Sequence, residues 1–139
     1  MYLLDSNVCI RLLNESASSN MARKLAELTP DDIRLCSVVK SELYYGAYKS
    51  TRHDRNLANL NRFFSQFISL PFDDNAAAIA GQIRAQLDVA GTPIGSNDLL
   101  IAAIALSNDL TLVTHNTREL RRRFSKSVSI WFHDYKRPC

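Results

Sequence analysis

Hydrophobic positions along the chain follow two different periodicities in turn. Five short apolar runs predict buried strands, at residues 2–4, 33–36, 68–70, 110–113 and 128–131. Between them, apolar side chains recur every three or four residues, which is typical of helices. These helices are predicted at 7–14, 18–28, 38–49, 53–67, in the segment after Asp73 and Asp74, and at 99–106. Alternating strands and helices indicate an α/β fold with a mainly parallel sheet of about five strands.

Polar residues mark where several of these helices begin. Ser37 and Ser96 precede helical patterns and are predicted to be N-caps, and Asp73 and Asp74 are predicted to cap the helix that follows them. The helix after Ser96 is apolar on all sides from 99 to 106, so we expect it to be buried.

Length and composition indicate one folded domain spanning 1–139. The chain has 139 residues, of which 46% are hydrophobic, enough for a proper core. No apolar run is long enough to cross a bilayer, and the N-terminus lacks the pattern of a signal peptide, so we expect a cytoplasmic protein. Cys9 and Cys36 lie in apolar surroundings and are interpreted as small core residues, whereas Cys139 is terminal.

Basic residues are concentrated in two sets although the net charge is only +3. One set contains Lys49, Arg52, Arg55 and Arg62, and the other contains Arg118, Arg121, Arg122, Arg123 and Lys126. Either set alone is typical of a solvated helix face. Together with acids gathered in one pocket, they would make the remaining surface favourable for nucleic acid.

Four polar residues occupy similar places in the predicted fold. Asp5 directly follows the first strand, Glu42 lies in the helix after the second, Asp98 opens the buried helix, and Asn116 follows strand 110–113. Open α/β sheets bind ligands outside the carboxyl ends of their strands, where these residues can converge. Mg²⁺ and Mn²⁺ prefer such oxygen ligands, and a bound cation would activate water. The pattern predicts a metal-dependent site that cleaves phosphodiesters.

Each of these residues also has a purely structural interpretation. Asp5 can cap the helix 7–14, Asp98 can interact with its helix dipole, Glu42 can be a surface residue, and Asn116 can be a turn residue. Glu119 is either a further acid of the site or a solvated neighbour of Arg118. The joint placement of the four residues favours the functional interpretation.

Four separated segments resemble PIN domains of the VapC type. Leu3-Leu4-Asp5-Ser6-Asn7 is similar to the family's opening motif, and Glu42 within Ser41-Glu42-Leu43-Tyr44-Tyr45-Gly46 matches its second acid. The segment from Pro93 to Ala103, containing Asp98, resembles the central signature, and Leu112 to Leu120, containing Asn116, resembles the late one. The resemblance implies a PIN-like α/β/α sandwich and a Mg²⁺- or Mn²⁺-dependent endoribonuclease toxin that cuts structured RNA, frequently tRNA.

The resemblance also implies roles for individual residues. Asp5, Glu42 and Asp98 would bind metal, Asn116 would take the variable fourth position, and the Ser6 hydroxyl would orient a water. Glu119 is a possible accessory residue. The RNA-binding residues expected beside the site are Arg121, Arg122, Arg123 and Lys126.

Partners follow from the same resemblance. We expect a cognate VapB-type antitoxin whose tail enters the site, a homodimer within a toxin–antitoxin hetero-oligomer, and promoter DNA bound only through the antitoxin. Two other interpretations stay open. One is a PIN-like module that binds RNA or protein without cutting, and the other is a receiver-like or phosphatase-like domain with Asp5 as nucleophile. The phosphatase-like version expects a second aspartate at position 7, where this chain has Asn7.

Overall fold

The computed structural model describes residues 1–14, 23, 25–91, 94–114 and 130–131. Within these residues the strands are β1 (Tyr2–Leu4), β2 (Ile33–Cys36), β3 (Ile68–Leu70), β4 (Thr111–Val113) and β5 (Ile130–Trp131). The helices are α1 (Ser6–Asn14), α2 (Ser37–Lys49), α3 (His53–Phe64), α4 (Asp74–Val89) and α5 (Ser96–Ser107), with a short 3-10 helix at Pro30–Asp32. None of the helices in the described ranges is long and apolar enough to cross a membrane.

The strands form one parallel sheet in the order β3-β2-β1-β4-β5. Strand β1 is central, and its Leu3 lies opposite Arg34 of β2 on one side and Leu112 of β4 on the other. The chain builds the sheet outwards from β1 through β2 to β3, then returns to the far side of β1. Right-handed crossovers in opposite directions put helices on opposite faces of the sheet, which gives the predicted three-layer sandwich.

The core lies on both faces of β1. Leu3 and Leu4 are fully buried although they point to opposite faces, as expected for the central strand of a parallel sheet. Helix α5 is buried from Ile101 to Ala105, and it packs against α4. The prediction of a buried helix at 99–106 is therefore confirmed.

Two of the predicted N-caps are wrong by one residue. Ser37 and Ser96 are the first helical residues, and the N-caps are Cys36 and Gly95. The reason at Ser37 is that β2 runs directly into α2, so its last extended residue, Cys36, must serve as the cap. Asp73 is a true cap, because its side chain accepts a hydrogen bond from Ala76 N–H at 2.9 Å.

Asp74 was predicted as a cap but is the first residue of α4. The predicted helix 53–67 ends earlier, at Phe64, where residues 65–67 turn into β3. Most of the predicted helix 18–28 lies outside the described residues, although Leu25 is described and is buried in the core.

Candidate active site

Asp5 lies at the carboxyl end of β1, immediately before α1. Its side chain is only 8% exposed, and its Oδ1 atom accepts a hydrogen bond from Val8 N–H at 2.9 Å. Its own N–H donates to the carbonyl of Val113 at 3.1 Å, which ties it to the adjacent strand β4. Asp5 therefore does cap α1, as the structural interpretation predicted, but from a buried position at the edge of the sheet.

Thr114 is a neighbour of Asp5 that the sequence analysis missed. It is buried directly after β4, and its side chain hydrogen-bonds to the Asp5 carboxylate. Strands β1 and β4 are adjacent, and the order in which strands are added to the sheet reverses between them. Open α/β sheets bind ligands at such a topological switch point. Only the strand order would have indicated Thr114, since it lies far from Asp5 in the sequence.

The pKa of the Asp5 carboxyl is raised, chiefly because burial disfavours the charged form. Hydrogen bonds from Thr114 and Val8 oppose this shift, and the negative charges of Asp98 and Glu42 add to it. Asp98 of α5 and Glu42 of α2 thus each lie within electrostatic range of Asp5, which follows β1. The three acids that the sequence predicted to converge meet at the carboxyl edge of the sheet.

Glu42 lies in the second turn of α2 and is half-buried. Its Oε1 atom is shielded from solvent and makes no hydrogen bond within the described part of the chain. A buried carboxylate oxygen without a donor is costly, so it is a strong acceptor for a ligand that enters the site. The interpretation of Glu42 as an ordinary surface residue does not fit this burial.

Asp98 is the third residue of α5 and is half-buried. A methyl group at Gly95, the N-cap, would lie 3.7 Å from Asp98 Oδ2, so the carboxylate lies close to the helix N-terminus. The helix dipole favours negative charge there. Asp98 therefore has both properties that the sequence suggested, a favourable place at the helix end and proximity to Asp5.

Ser6 adds an unused hydroxyl beside these acids. It is buried at the start of α1, and among the described residues its Oγ has no hydrogen-bond partner. Buried hydroxyls are normally satisfied, so this atom is available to a ligand at the site.

The donor set fits a hard divalent cation. Carboxylate and hydroxyl oxygens are the ligands that Mg²⁺ and Mn²⁺ prefer. Among the described residues, however, no three Asp, Glu, His or Cys side chains form a complete metal-binding group by themselves. Mg²⁺ is often held by one or two carboxylates, with waters and substrate phosphates completing its coordination, so a smaller set of acids is compatible with such an ion.

Cys9 and Cys36 lie beneath this acidic edge. Both are fully buried, and burial is the main cause that raises the pKa of each thiol. A buried, protonated thiol is chemically inert. The prediction that these cysteines are core residues is confirmed, and they give the carboxylates an apolar floor.

A groove of about 670 Å³ extends from Glu42 between α1, α2 and α3. Its apolar lining includes Leu12, Leu43, Leu60 and Phe63, and Arg62 lies at its rim. The groove, which polar side chains such as Asn14, Asn56 and Gln66 also line, therefore reaches the acidic edge of the sheet at Glu42.

Several predicted site residues lie outside the described residues. They are Asn116, Glu119, Arg121, Arg122, Arg123 and Lys126. The other basic set lies within the described residues. All four of its members are exposed: Lys49, Arg52, Arg55 and Arg62.

Comparison with known proteins identifies the family of this chain. The PIN domain family model matches residues 2–124. The tRNA(fMet)-specific endonuclease VapC of Shigella flexneri is 40% identical over 121 residues, covering 87% of this chain and 90% of the relative. Ribonuclease VapC2 of Rickettsia felis is 36% identical over 124 residues, covering 88% and 91%.

A solved structure has the same fold. The crystal structure of VapBC2 from Rickettsia felis bound to a promoter DNA fragment aligns with a TM-score of 0.85 and 31% identity, covering 96% of this chain and 98% of that one. The chain belongs to the PIN-domain family, as a VapC-type toxin ribonuclease. The resemblance and the fold class predicted from the sequence are confirmed, and the ribonuclease interpretation is favoured over a non-cleaving module.

Proposed function

We propose that this ribonuclease hydrolyses phosphodiester bonds of structured RNA with the help of Mg²⁺ or Mn²⁺. The observation that carries the proposal is the convergence of Asp98 and Glu42 on the buried Asp5 carboxylate. Three acids at one sheet edge repel one another, and a divalent cation is the natural partner that relieves this repulsion. When bound, such a cation supplies the positive charge that activates water near neutral pH and stabilises charge on the phosphate.

Different side chains of the site would have different roles in the reaction. Asp5, Glu42 and Asp98 would hold the cation, and Asn116 would serve as a further oxygen donor. Thr114 and Val8 N–H fix the orientation of the Asp5 carboxylate by hydrogen bonds. The Ser6 hydroxyl would donate to a water or phosphate oxygen, because it has no other acceptor among the described residues. The apolar floor beneath the acids excludes bulk water from one side of the site.

The proposed substrate is tRNA, with tRNA(fMet) as the first candidate. The support is the Shigella flexneri relative, whose name specifies that RNA. A tRNA substrate would place the protein's activity in the cytoplasm. Arg121, Arg122, Arg123 and Lys126 follow Asn116 closely in sequence, and we propose that they contact RNA phosphates beside the site.

We also propose a VapB-type antitoxin as the protein partner, since the similar Rickettsia felis structure is a VapBC complex bound to promoter DNA. The groove that ends at Glu42 would receive an antitoxin segment, and a cationic side chain of that segment would meet the charges of Asp5, Glu42 and Asp98. DNA would be bound through the antitoxin. A homodimer within the complex stays a prediction.

The decisive experiment is cleavage of tRNA(fMet) and of a total tRNA pool by the purified protein, free of antitoxin. We expect discrete fragments with Mn²⁺ or Mg²⁺ and none with EDTA. Asp98→Asn should lower the rate by roughly a hundredfold or more, the scale for losing a group that stabilises transition-state charge.

Asp88→Asn is the matched control, because Asp88 is an exposed aspartate of α4, outside the proposed site. It should cleave at the wild-type rate. Cleavage that persists in EDTA would contradict the metal-dependent mechanism, and equal cleavage by Asp98→Asn would remove Asp98 from the site. Absence of cleavage under every condition would favour the binding module.

A further inference from the structure

Helix α2 exposes two tyrosines that its packing does not explain. Tyr45 and Tyr48 are each 66% exposed. The neighbouring Tyr44 differs, because its ring packs against Phe64 at 5.3 Å and its hydroxyl donates to Asn61 Oδ1 at 2.9 Å. Within the described residues, Tyr45 and Tyr48 make neither a ring–ring contact nor a hydroxyl hydrogen bond of this kind. Tyr44 therefore has a structural role, whereas packing does not explain the exposed side chains of Tyr45 and Tyr48.

Tyr45 lies about one turn along α2 from Glu42. It follows Glu42 by three residues, and side chains with this spacing are neighbours on a helix, with Cβ atoms about 5–6 Å apart. Helical side chains also tilt towards the N-terminus, which brings the Tyr45 ring towards the turn that carries Glu42. Tyr48 has the same exposure but lies about 120° from Glu42 around the helix axis.

A cation accompanies the Tyr45 ring. Lys49, one turn further along α2, places its Nζ 5.7 Å from the Tyr45 ring centroid. Arg52 and Arg55 are exposed shortly beyond Lys49, and the acid among them, Asp54, lies 3.8 Å from the His53 imidazole. The surface beyond Tyr45 is therefore mainly positive. An exposed ring beside cations matches the two chemical features of RNA, flat bases and a negatively charged backbone.

We propose that Tyr45 stacks on an unpaired base of the RNA substrate while Lys49 contacts an adjacent phosphate. The inference rests on the ribonuclease function proposed above and adds a substrate-positioning contact to it. Proteins recognise structured RNA largely through bases that are not stacked in a helix, and aromatic rings accept any base. An unpaired base held at Tyr45 would direct the neighbouring phosphodiester towards Glu42 and Asp5.

The test compares RNA binding by variants built on Asp98→Asn, measured in EDTA so that the RNA is not cleaved during the measurement. Fluorescence anisotropy would follow labelled tRNA(fMet), a short oligouridylate and a blunt RNA duplex. Tyr45→Ala should weaken binding of the first two by about fivefold to a hundredfold, the loss typical of one stacked base. Binding of the duplex should not change, because its bases are already stacked. Tyr45→Phe keeps the ring and should retain most of the affinity.

Tyr48→Ala is the matched control, since it removes an equally exposed tyrosine from the same helix. It should bind all three RNAs as its parent does. Lys49→Gln should lower the slope of log affinity against log salt by about 0.7, the value for one phosphate contact on a single strand. Thermal unfolding of each variant checks that the fold is retained.

Three results would overturn the proposal. Tyr45→Ala could bind single-stranded RNA normally, or Tyr48→Ala could lose as much affinity. Alternatively, Tyr45→Ala could weaken self-association or antitoxin binding and leave RNA binding intact, which would make this face a protein contact. Failure of the ribonuclease proposal can be distinguished from failure of the Tyr45 proposal. The first would appear as no RNA cleavage by the protein with an intact Asp98. The second is decided by the binding comparison alone.

Discussion

Asp5 combines a structural role and a proposed chemical role in one side chain. As an N-cap it stabilises α1 through the Val8 N–H, and as a buried carboxylate beside Asp98 and Glu42 it carries an unfavourable charge. Because burial raises its pKa, the folded protein holds a proton on Asp5 more tightly than the unfolded chain does. This contribution to stability is fully present below the unfolded pKa and is lost as the pH rises through the raised folded pKa.

Asp5→Asn should therefore stabilise the metal-free protein at neutral pH. Asparagine keeps an oxygen to cap α1 but carries no charge to desolvate. The gain in Tm over wild type, measured in EDTA, should be largest at pH 7–8 and should disappear as the pH falls below about 4, the unfolded aspartate pKa.

Asp32→Asn provides a control of opposite sign. Hydrogen bonds from Thr29 lower the pKa of the Asp32 carboxyl, so its contribution is present above the unfolded pKa and is lost as the pH falls. This variant should lose stability at neutral pH. A Tm difference for Asp5→Asn that does not vary with pH would contradict the account of its buried charge.

At the scale of elements, hydrophobic periodicity located the secondary structure well. The runs 2–4, 33–36 and 68–70 are strands with the predicted bounds, because each is short and apolar enough to lie in the sheet. Helix starts were less accurate, since Ser37 and Ser96 are good caps by composition but their neighbours Cys36 and Gly95 take that position. At Ser37 the strand β2 runs directly into the helix, so the path of the chain overrides the local capping preference.

The N-terminus of α4 offers a direct test of capping. Asp73→Ala removes the acceptor of the Ala76 N–H and should cost about 1 kcal/mol of unfolding free energy, measured by urea denaturation. Asp74→Ala changes the adjacent acid, which is the first helical residue, and should cost less because only its interaction with the helix dipole is lost. An equal or larger cost at Asp74 would mean that charge, and not the cap hydrogen bond, stabilises this helix end.

At the scale of the whole molecule, the strand order determines which residues can meet. Asp5, Glu42 and Asp98 were predicted to converge because they follow strands or open a helix at one edge, and their mutual electrostatic effect agrees with that prediction. Thr114 also follows a predicted strand, but its contact with Asp5 depends on β4 lying next to β1, which sequence patterns do not give. Sequence patterns identify elements, whereas the order of strands in the sheet brings distant side chains into contact.

The same topology makes metal binding a property of the whole fold. A cation held by Asp5, Glu42 and Asp98 would join β1, α2 and α5, which form only when the chain is folded. Binding to the folded state alone stabilises it by mass action, by about 2.7 kcal/mol when the free ion exceeds its dissociation constant a hundredfold.

We therefore expect Mn²⁺ or Mg²⁺ to raise the Tm of the wild-type protein, by roughly 3 °C for each kcal/mol. The ions should raise the Tm of Asp98→Asn much less. They should raise the Tm of Asp88→Asn, which changes an exposed acid of α4, as much as that of wild type. KCl at matched ionic strength separates site binding from screening of exposed charges. If the Tm of all three proteins rose equally with the divalent ions, the cation would bind elsewhere and the acids at the sheet edge would need another role. A rise in Tm confined to the two proteins with an intact Asp98 would assign the ion to that edge, independently of any RNA.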